Sequence, residues 1–161
     1  MSSIALIGAG TVGSGLIQIL SKNKDLIFER SGIELNLSVI CEKNPEFIKK
    51  NTTIPVTDNY KEVLSRSDID IVVELIGGTA IAYEIVKSAI LAKKTVITAN
   101  KALISEKGEE LFKLAEENGV EIGYEASVGG AIPIIRTVKT GLVSNQFESV
   151  YGILNGTTNF I

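Results

Sequence analysis

Short β-branched runs give way, again and again along this chain, to stretches whose apolar residues recur at helical spacing. Residues 3–7 (SIALI) predict a strand, and residues 11–22 a helix whose Val12, Leu16, Ile19 and Leu20 face a sheet. A polar stretch over 23–34 delays the second strand, expected at 35–41 and ended by Glu42-Lys43-Asn44-Pro45. A short segment near 45–50, an extended piece at 54–57 and a helix at 60–65 follow. The run over 69–76 is nearly continuous in β-branched residues, as in a strand covered on both faces, until Gly77-Gly78 breaks it. Ile81, Ile85, Ala89 and Ile90 mark the apolar side of the next helix, which leads to a strand at 95–99. Ser105 is then expected to cap a helix with Glu106 and Glu109 in its first turn, Leu111, Leu114 and Ala115 facing inward, and Gly119 as its stop. A strand at 120–124, a helix over 134–142 opened by Gly129-Gly130, and a last strand at 147–154 complete the pattern.

This alternation predicts the α/β class: a doubly wound parallel sheet with right-handed crossovers, helices on both faces, and ligands bound at the carboxyl ends of the strands. Three clusters then share one crevice: Gly8 to Gly13, Gly77-Gly78 with Thr79, and Thr98-Ala99-Asn100-Lys101.

The length of 161 residues fits about one domain with a sizeable core. Sixteen basic residues, scattered among nineteen acidic ones, give a net charge of −3, which argues against a nucleic-acid partner. The single cysteine, Cys41, lies in an apolar run and reads as a buried structural thiol. No uncharged stretch approaches the roughly 18 apolar residues of a membrane span, and the N-terminus has no export pattern, so the expected compartment is the cytoplasm. Histidine is absent, so proton transfer would fall to Lys, Glu, Asp, Tyr or water.

The richest motif is Gly8-Ala9-Gly10-Thr11-Val12-Gly13, set between a strand and a helix as in a Rossmann-type dinucleotide site. Gly8 permits the tight turn, Gly10 lets phosphates approach the backbone, and Gly13 lets the helix pack on the strand. Thr11 and Val12 fall where unpaired amides and the helix dipole favour an anion. Glu42, at the end of the second strand, is the candidate acceptor for a ribose hydroxyl. It stands about 30 residues beyond the glycines instead of the usual ~20, which an insertion at 23–34 would explain. Lys43 would instead pair with a 2′-phosphate, so NAD and NADP both stay open, as does a plain solvated charge pair. Lys101, beyond Thr98 at a strand's carboxyl end, is placed to hold a substrate oxygen near the reacting carbon; the alternative is one more surface lysine. The glycines and proline of Glu125 to Pro133 bend the backbone so that several carbonyls point one way, which suits a hard cation as well as it suits a plain turn. Asn155-Gly156-Thr157-Thr158-Asn159 reads as a site loop or a turn.

GAGTVGSGL at 8–16, VVELIGG at 72–78, TVITANKALI at 95–104, YEASVGGAIPII at 124–135 and GILNGTTNFI at 152–161 together resemble the homoserine dehydrogenases. The resemblance implies NAD(P)-dependent interconversion of L-homoserine and L-aspartate 4-semialdehyde, in the pathway to threonine, methionine and isoleucine. It also implies a homodimer for the intact protein. Lys101 matches the family's lysine near nicotinamide and substrate. Gly77 and Thr98 fall within the matching crevice segments. Glu125, Val128, Gly130 and Ile132 match positions that hold a monovalent cation such as Na+, mostly through backbone carbonyls. On this reading residues 1–142 form the dinucleotide-binding domain and 143–161 begin the substrate and dimerisation region. Family members continue past NGTTN, so the 161-residue polypeptide is expected to bind cofactor weakly or not at all and to turn over negligibly.

Three other readings compete. A sugar or polyol dehydrogenase of the Gfo/Idh/MocA type would normally carry Glu-Lys-Pro where this chain has Asn100-Lys101-Ala102. Aspartate-semialdehyde dehydrogenase needs a thiol nucleophile at the hydride site, and Cys41 lies far from it in the topology. A non-catalytic nucleotide-binding module is the third.

Overall fold

A computed structural model describes residues 1–152. Six strands form one wholly parallel sheet: β1 (Ser2–Ile7), β2 (Leu35–Cys41), β3 (Val56–Thr57), β4 (Ile71–Glu74), β5 (Thr95–Thr98) and β6 (Ile122–Gly123). Their order is β3-β2-β1-β4-β5-β6. The sheet therefore reverses direction of growth between β1 and β4, and a crevice opens at the carboxyl ends of those two strands.

The period of two along β1 explains how one short strand serves two cores. Ile4 and Leu6 face one side, with Ile40 of β2, Val73 of β4, and Leu16, Ile17 and Leu20 of α1 (Thr11–Lys22), while Ile48 of α3 (Glu46–Asn51) closes that layer. Ala5 and Ile7 face the other, with Val72 and Val96, beneath α4 (Tyr60–Ser65), α5 (Ala80–Leu91) and α6 (Lys101–Asn118). Ala5, Leu6, Val72 and Val96 are completely buried, as the unbroken apolar character of a two-sided parallel sheet requires.

Several expectations need correction. The polar stretch 23–34 is mostly a helix, α2 (Lys24–Ser31), ended by Gly32 in the left-handed region at φ 69°. Val12 and Ile19 point away from the sheet, and Leu16 and Leu20 make the packed stripe with Ile17 instead. Ile81 is exposed, so the buried face of α5 starts at Ala82. α6 begins four residues before Ser105: Asn100 is its cap, accepting the Leu103 N–H at 3.1 Å, and no acid lies in its first turn. The helix expected over 134–142 is one α-turn, α7 (Ile134–Arg136), continued by a wider turn over Thr137–Gly141. Residues 147–152 are not a strand, and the remainder of that expectation, like Asn155 to Asn159, lies outside the described residues.

At the amino end of the sheet, opposite the crevice, Lys94 is buried. Its ammonium donates to the carbonyls of Arg66 at 2.6 Å and Ile69 at 2.9 Å, and burial pulls its pKa below the ordinary lysine range. It ties a loop to the sheet. No helix among the described residues is long and apolar enough to cross a membrane.

Candidate functional site

The β1–α1 turn has the steric logic of a phosphate cradle. Gly8 sits at φ 98°, and a Cβ there would lie 2.7 Å from the Leu75 backbone. A Cβ on Gly13 would fall 2.1 Å from the Gly8 carbonyl oxygen, so the helix can lean on the turn only because that position is bare. At Gly10 a Cβ would meet nothing within 4 Å: the space over the turn is open. The first bond of the α1 ladder runs from the Ser14 N–H to the Gly10 carbonyl, at 2.8 Å, so the amides of Thr11, Val12 and Gly13 precede it. Gly10 caps α1 without a side chain, which leaves those amides and the dipole available to an anion. The turn fits a dinucleotide's pyrophosphate.

Glu42 belongs to the same turn. The Ala9 N–H donates to Glu42 Oε2 at 2.8 Å, and the Gly8 N–H donates to the Cys41 carbonyl at 2.9 Å, so the end of β2 is bound to the glycine loop. The long spacing is accounted for by α2, which fills the interval without displacing the carboxylate from the turn. Lys43 beside it is exposed. Cys41 is buried, and burial first, then the nearby Asp58, Glu42 and Glu62 carboxylates, push its thiol up to about 11, the condition of an inert thiol.

The second and third clusters do meet. The Asn100 side-chain amide donates to the Gly78 carbonyl, tying the loop after β4 to the start of α6. Gly77 and Gly78 both have φ 71°, the left-handed region that favours glycine. A cavity of about 320 Å³ runs between them, lined by Val12, Glu74, Leu75, Gly77, Ala99, Asn100, Lys101 and Ala102. Val12, misassigned to the core, thus presents its exposed side chain to the crevice. Lys101 is exposed and is the first residue of α6, where the helix dipole disfavours a cation. Helix stability does not explain a lysine there. Larger hollows of about 640 Å³ beside α1 and about 830 Å³ beside β6 involve neither the glycine turn nor Lys101.

Sequence reasoning missed Glu74. It is completely buried at the end of β4, accepting the Thr98 hydroxyl at 2.6 Å and the Ile76 N–H at 2.8 Å. A lone carboxylate inside a strand covered on both faces was the available signal, because such a group must be satisfied locally.

The loop from Glu125 to Pro133 is tied to the third cluster, the buried Ser127 hydroxyl donating to the Thr98 carbonyl at 2.8 Å. Glu125 starts a 3₁₀ turn (Glu125–Ser127), and its carboxylate accepts the N–H groups of Ile135 at 2.9 Å and Arg136 at 2.8 Å, capping α7. Its carbonyl accepts the Val128 N–H at 3.1 Å, and the Ile132 carbonyl accepts the Ile134 N–H at 2.8 Å. Gly129 and Ala131 take φ 70° and 61°, folding Val128, Gly130 and Ile132 into a tight loop. Among the described residues no group of three or more His, Cys, Asp or Glu side chains is arranged to hold a metal. Any cation here would rest on backbone carbonyls.

Comparison with known proteins gives a consistent result. The family model described as "Homoserine dehydrogenase, NAD binding domain" matches residues 8–125, and one described as "Homoserine dehydrogenase" matches residues 133–161. A homoserine dehydrogenase of Neisseria gonorrhoeae is 44% identical over 99% of this chain, which covers 37% of that relative. One of Pseudomonas aeruginosa is 40% identical over 98% of the chain, covering 36% of the relative. The crystal structure of a homoserine dehydrogenase from Thiobacillus denitrificans superposes with a TM-score of 0.89 at 41% identity, over 99% of this chain and 37% of that one. The chain thus spans rather more than a third of the length of these relatives.

Proposed function

Since the chain belongs to the homoserine dehydrogenase NAD-binding domain family, we propose that its crevice binds a nicotinamide dinucleotide and that the protein interconverts L-homoserine and L-aspartate 4-semialdehyde. The observation that carries this is the convergence at one strand-end crevice of a bare-glycine phosphate turn, a strand-end carboxylate and a lysine placed against its helix dipole. When bound, the cofactor supplies the hydride acceptor or donor. The residues of this chain do the positioning: the amides of Thr11, Val12 and Gly13 hold the pyrophosphate, and Val12 packs against the dinucleotide from the apolar side. Lys101 holds the substrate oxygen so that the reacting carbon lies near the nicotinamide. Residues 1–142 are the dinucleotide-binding unit of this proposal, and a homodimer accompanies the family reading.

Glu42 favours NAD over NADP. Its charge lies where the adenosine ribose is expected, and the Ala9 N–H fixes it there, so a ribose diol gains an acceptor while a 2′-phosphate meets a like charge. The loop carrying Glu125, Val128, Gly130 and Ile132 is proposed as a monovalent-cation seat made of carbonyls, with the Glu125 carboxylate bracing it through α7.

Isothermal titration of the chain with NAD+ and NADP+ tests this reading. Weak binding with NAD+ preferred is the expected result, and Glu42→Gln should reduce that preference by about tenfold. Equal affinity for both cofactors, unchanged in the variant, would remove Glu42 from the site.

A further inference from the structure

Glu74 is costly where it stands. A carboxylate wholly out of water at the end of an apolar strand needs compensation, and what it receives is two neutral donors, the Ile76 N–H and the Thr98 hydroxyl. The ion pairs among the described residues, Lys24 with Glu34, Lys49 with Glu46 and Arg66 with Asp68, all lie elsewhere. Thr98 is itself committed. Its oxygen accepts the Asn100 N–H at 3.0 Å, and its one hydrogen goes to Glu74. In this arrangement each Glu74 oxygen accepts one neutral donor.

The position of this charge gives it a use. Glu74 borders the cavity that Gly77 and Lys101 also line, and the cofactor reading above puts the nicotinamide near Lys101. An oxidised nicotinamide ring carries a positive charge that disappears when it accepts hydride. We propose that Glu74 is a fixed negative charge that makes this crevice favour the oxidised over the reduced nicotinamide. The inference rests on the cofactor reading above and adds a preference between redox states to it. Lys101 is the cavity's other charge, but it is exposed, so water and salt screen it. Glu74 is walled off from water and acts through a medium of low dielectric. The Thr98 and Ile76 bonds hold it in place, so its field needs no rearrangement when ligand arrives.

The test is titration calorimetry of the chain with NAD+, NADH and ADP-ribose, the last lacking the ring, for the native protein and Glu74→Gln. The glutamine keeps the size and one acceptor while removing the charge. The expected result is that Glu74→Gln shifts the ratio of NAD+ to NADH affinity about tenfold toward NADH and leaves ADP-ribose binding unchanged. Glu74→Asp, which keeps the charge, should retain the native ratio. A purely structural role would weaken all three ligands by a common factor, and that result, or no change in the ratio, overturns the proposal. If Glu74→Gln fails to fold by circular dichroism, the native ratio decides: NADH bound tenfold or more tightly than NAD+ overturns it, and NAD+ bound at least as tightly as NADH supports it. Binding of none of the three ligands overturns the cofactor reading and this inference together, whereas binding of all three with an unshifted ratio overturns this inference alone.

Discussion

Gly10 and Gly13 are identical residues three positions apart, and the structure gives them opposite roles. A methyl group at Gly13 would stand 2.1 Å from the Gly8 carbonyl oxygen, so Gly13→Ala must push α1 off the turn. The expected cost is about 3 kcal/mol or more of stability, read by urea denaturation. At Gly10 the methyl group meets open space, so Gly10→Ala should fold normally and lose about tenfold or more in dinucleotide affinity, because it fills the room the phosphates need. Equal stability for the two variants would contradict the packing described here. At this scale the glycines were legible because each has a distinct steric reason to lack a side chain. Glu74 was not, because a carboxylate in an apolar run reads as an interruption of the pattern until its two donors are seen. Val12 and Ile19 were misplaced because helical spacing admits neighbouring stripes, and Ile17 completes the one that packs.

Among the elements, α6 is the one that connects fold to site. Asn100 caps it through the Leu103 N–H and holds the Gly78 carbonyl with its amide, so one side chain fixes both the start of the helix carrying Lys101 and the loop across the crevice. Asn100→Ala should cost about 1 kcal/mol from the lost cap. The same variant should also weaken cofactor binding, whereas Ser105→Ala, four residues into the helix, should do neither. An Asn100→Ala protein with native melting and native affinity would show that the bridge has no role. The capping signal was misread because Ser105 with Glu106 and Glu109 imitates a helix start, while the real cap stands directly behind β5. α2 escaped detection because it buries none of its residues and so carries no apolar stripe. The strand expected from residue 147 rested on a few apolar residues that find no partner strand among the described residues, and residues 147–152 are irregular.

The strand order 3-2-1-4-5-6 is the property of the whole molecule that produces the site. The sequence predicted the doubly wound parallel class but not this order, which is one of the right-handed arrangements that gather the strand ends at one crevice. The joining of the first cluster to the second is visible in the Leu75 N–H donating to the Ile7 carbonyl at 2.8 Å, beside the position a Gly8 side chain would need. The expectation of a crevice shared by three clusters was therefore met. The loop from Glu125 to Pro133 hangs on the same strand ends, through the Ser127 hydroxyl donating to the Thr98 carbonyl. The central claim is that a dinucleotide lies across this crevice with its pyrophosphate on the β1–α1 turn. The most direct measurement is a ¹⁵N–¹H correlation spectrum of the chain titrated with NAD+. The predicted result is that the amides of Gly10, Thr11, Val12 and Gly13 shift together with those of Gly77, Gly78 and Lys101, while Lys94 and its neighbours at the opposite end of the sheet stay still. Shifts confined to that opposite end, or an unchanged glycine turn at saturating NAD+, would contradict it.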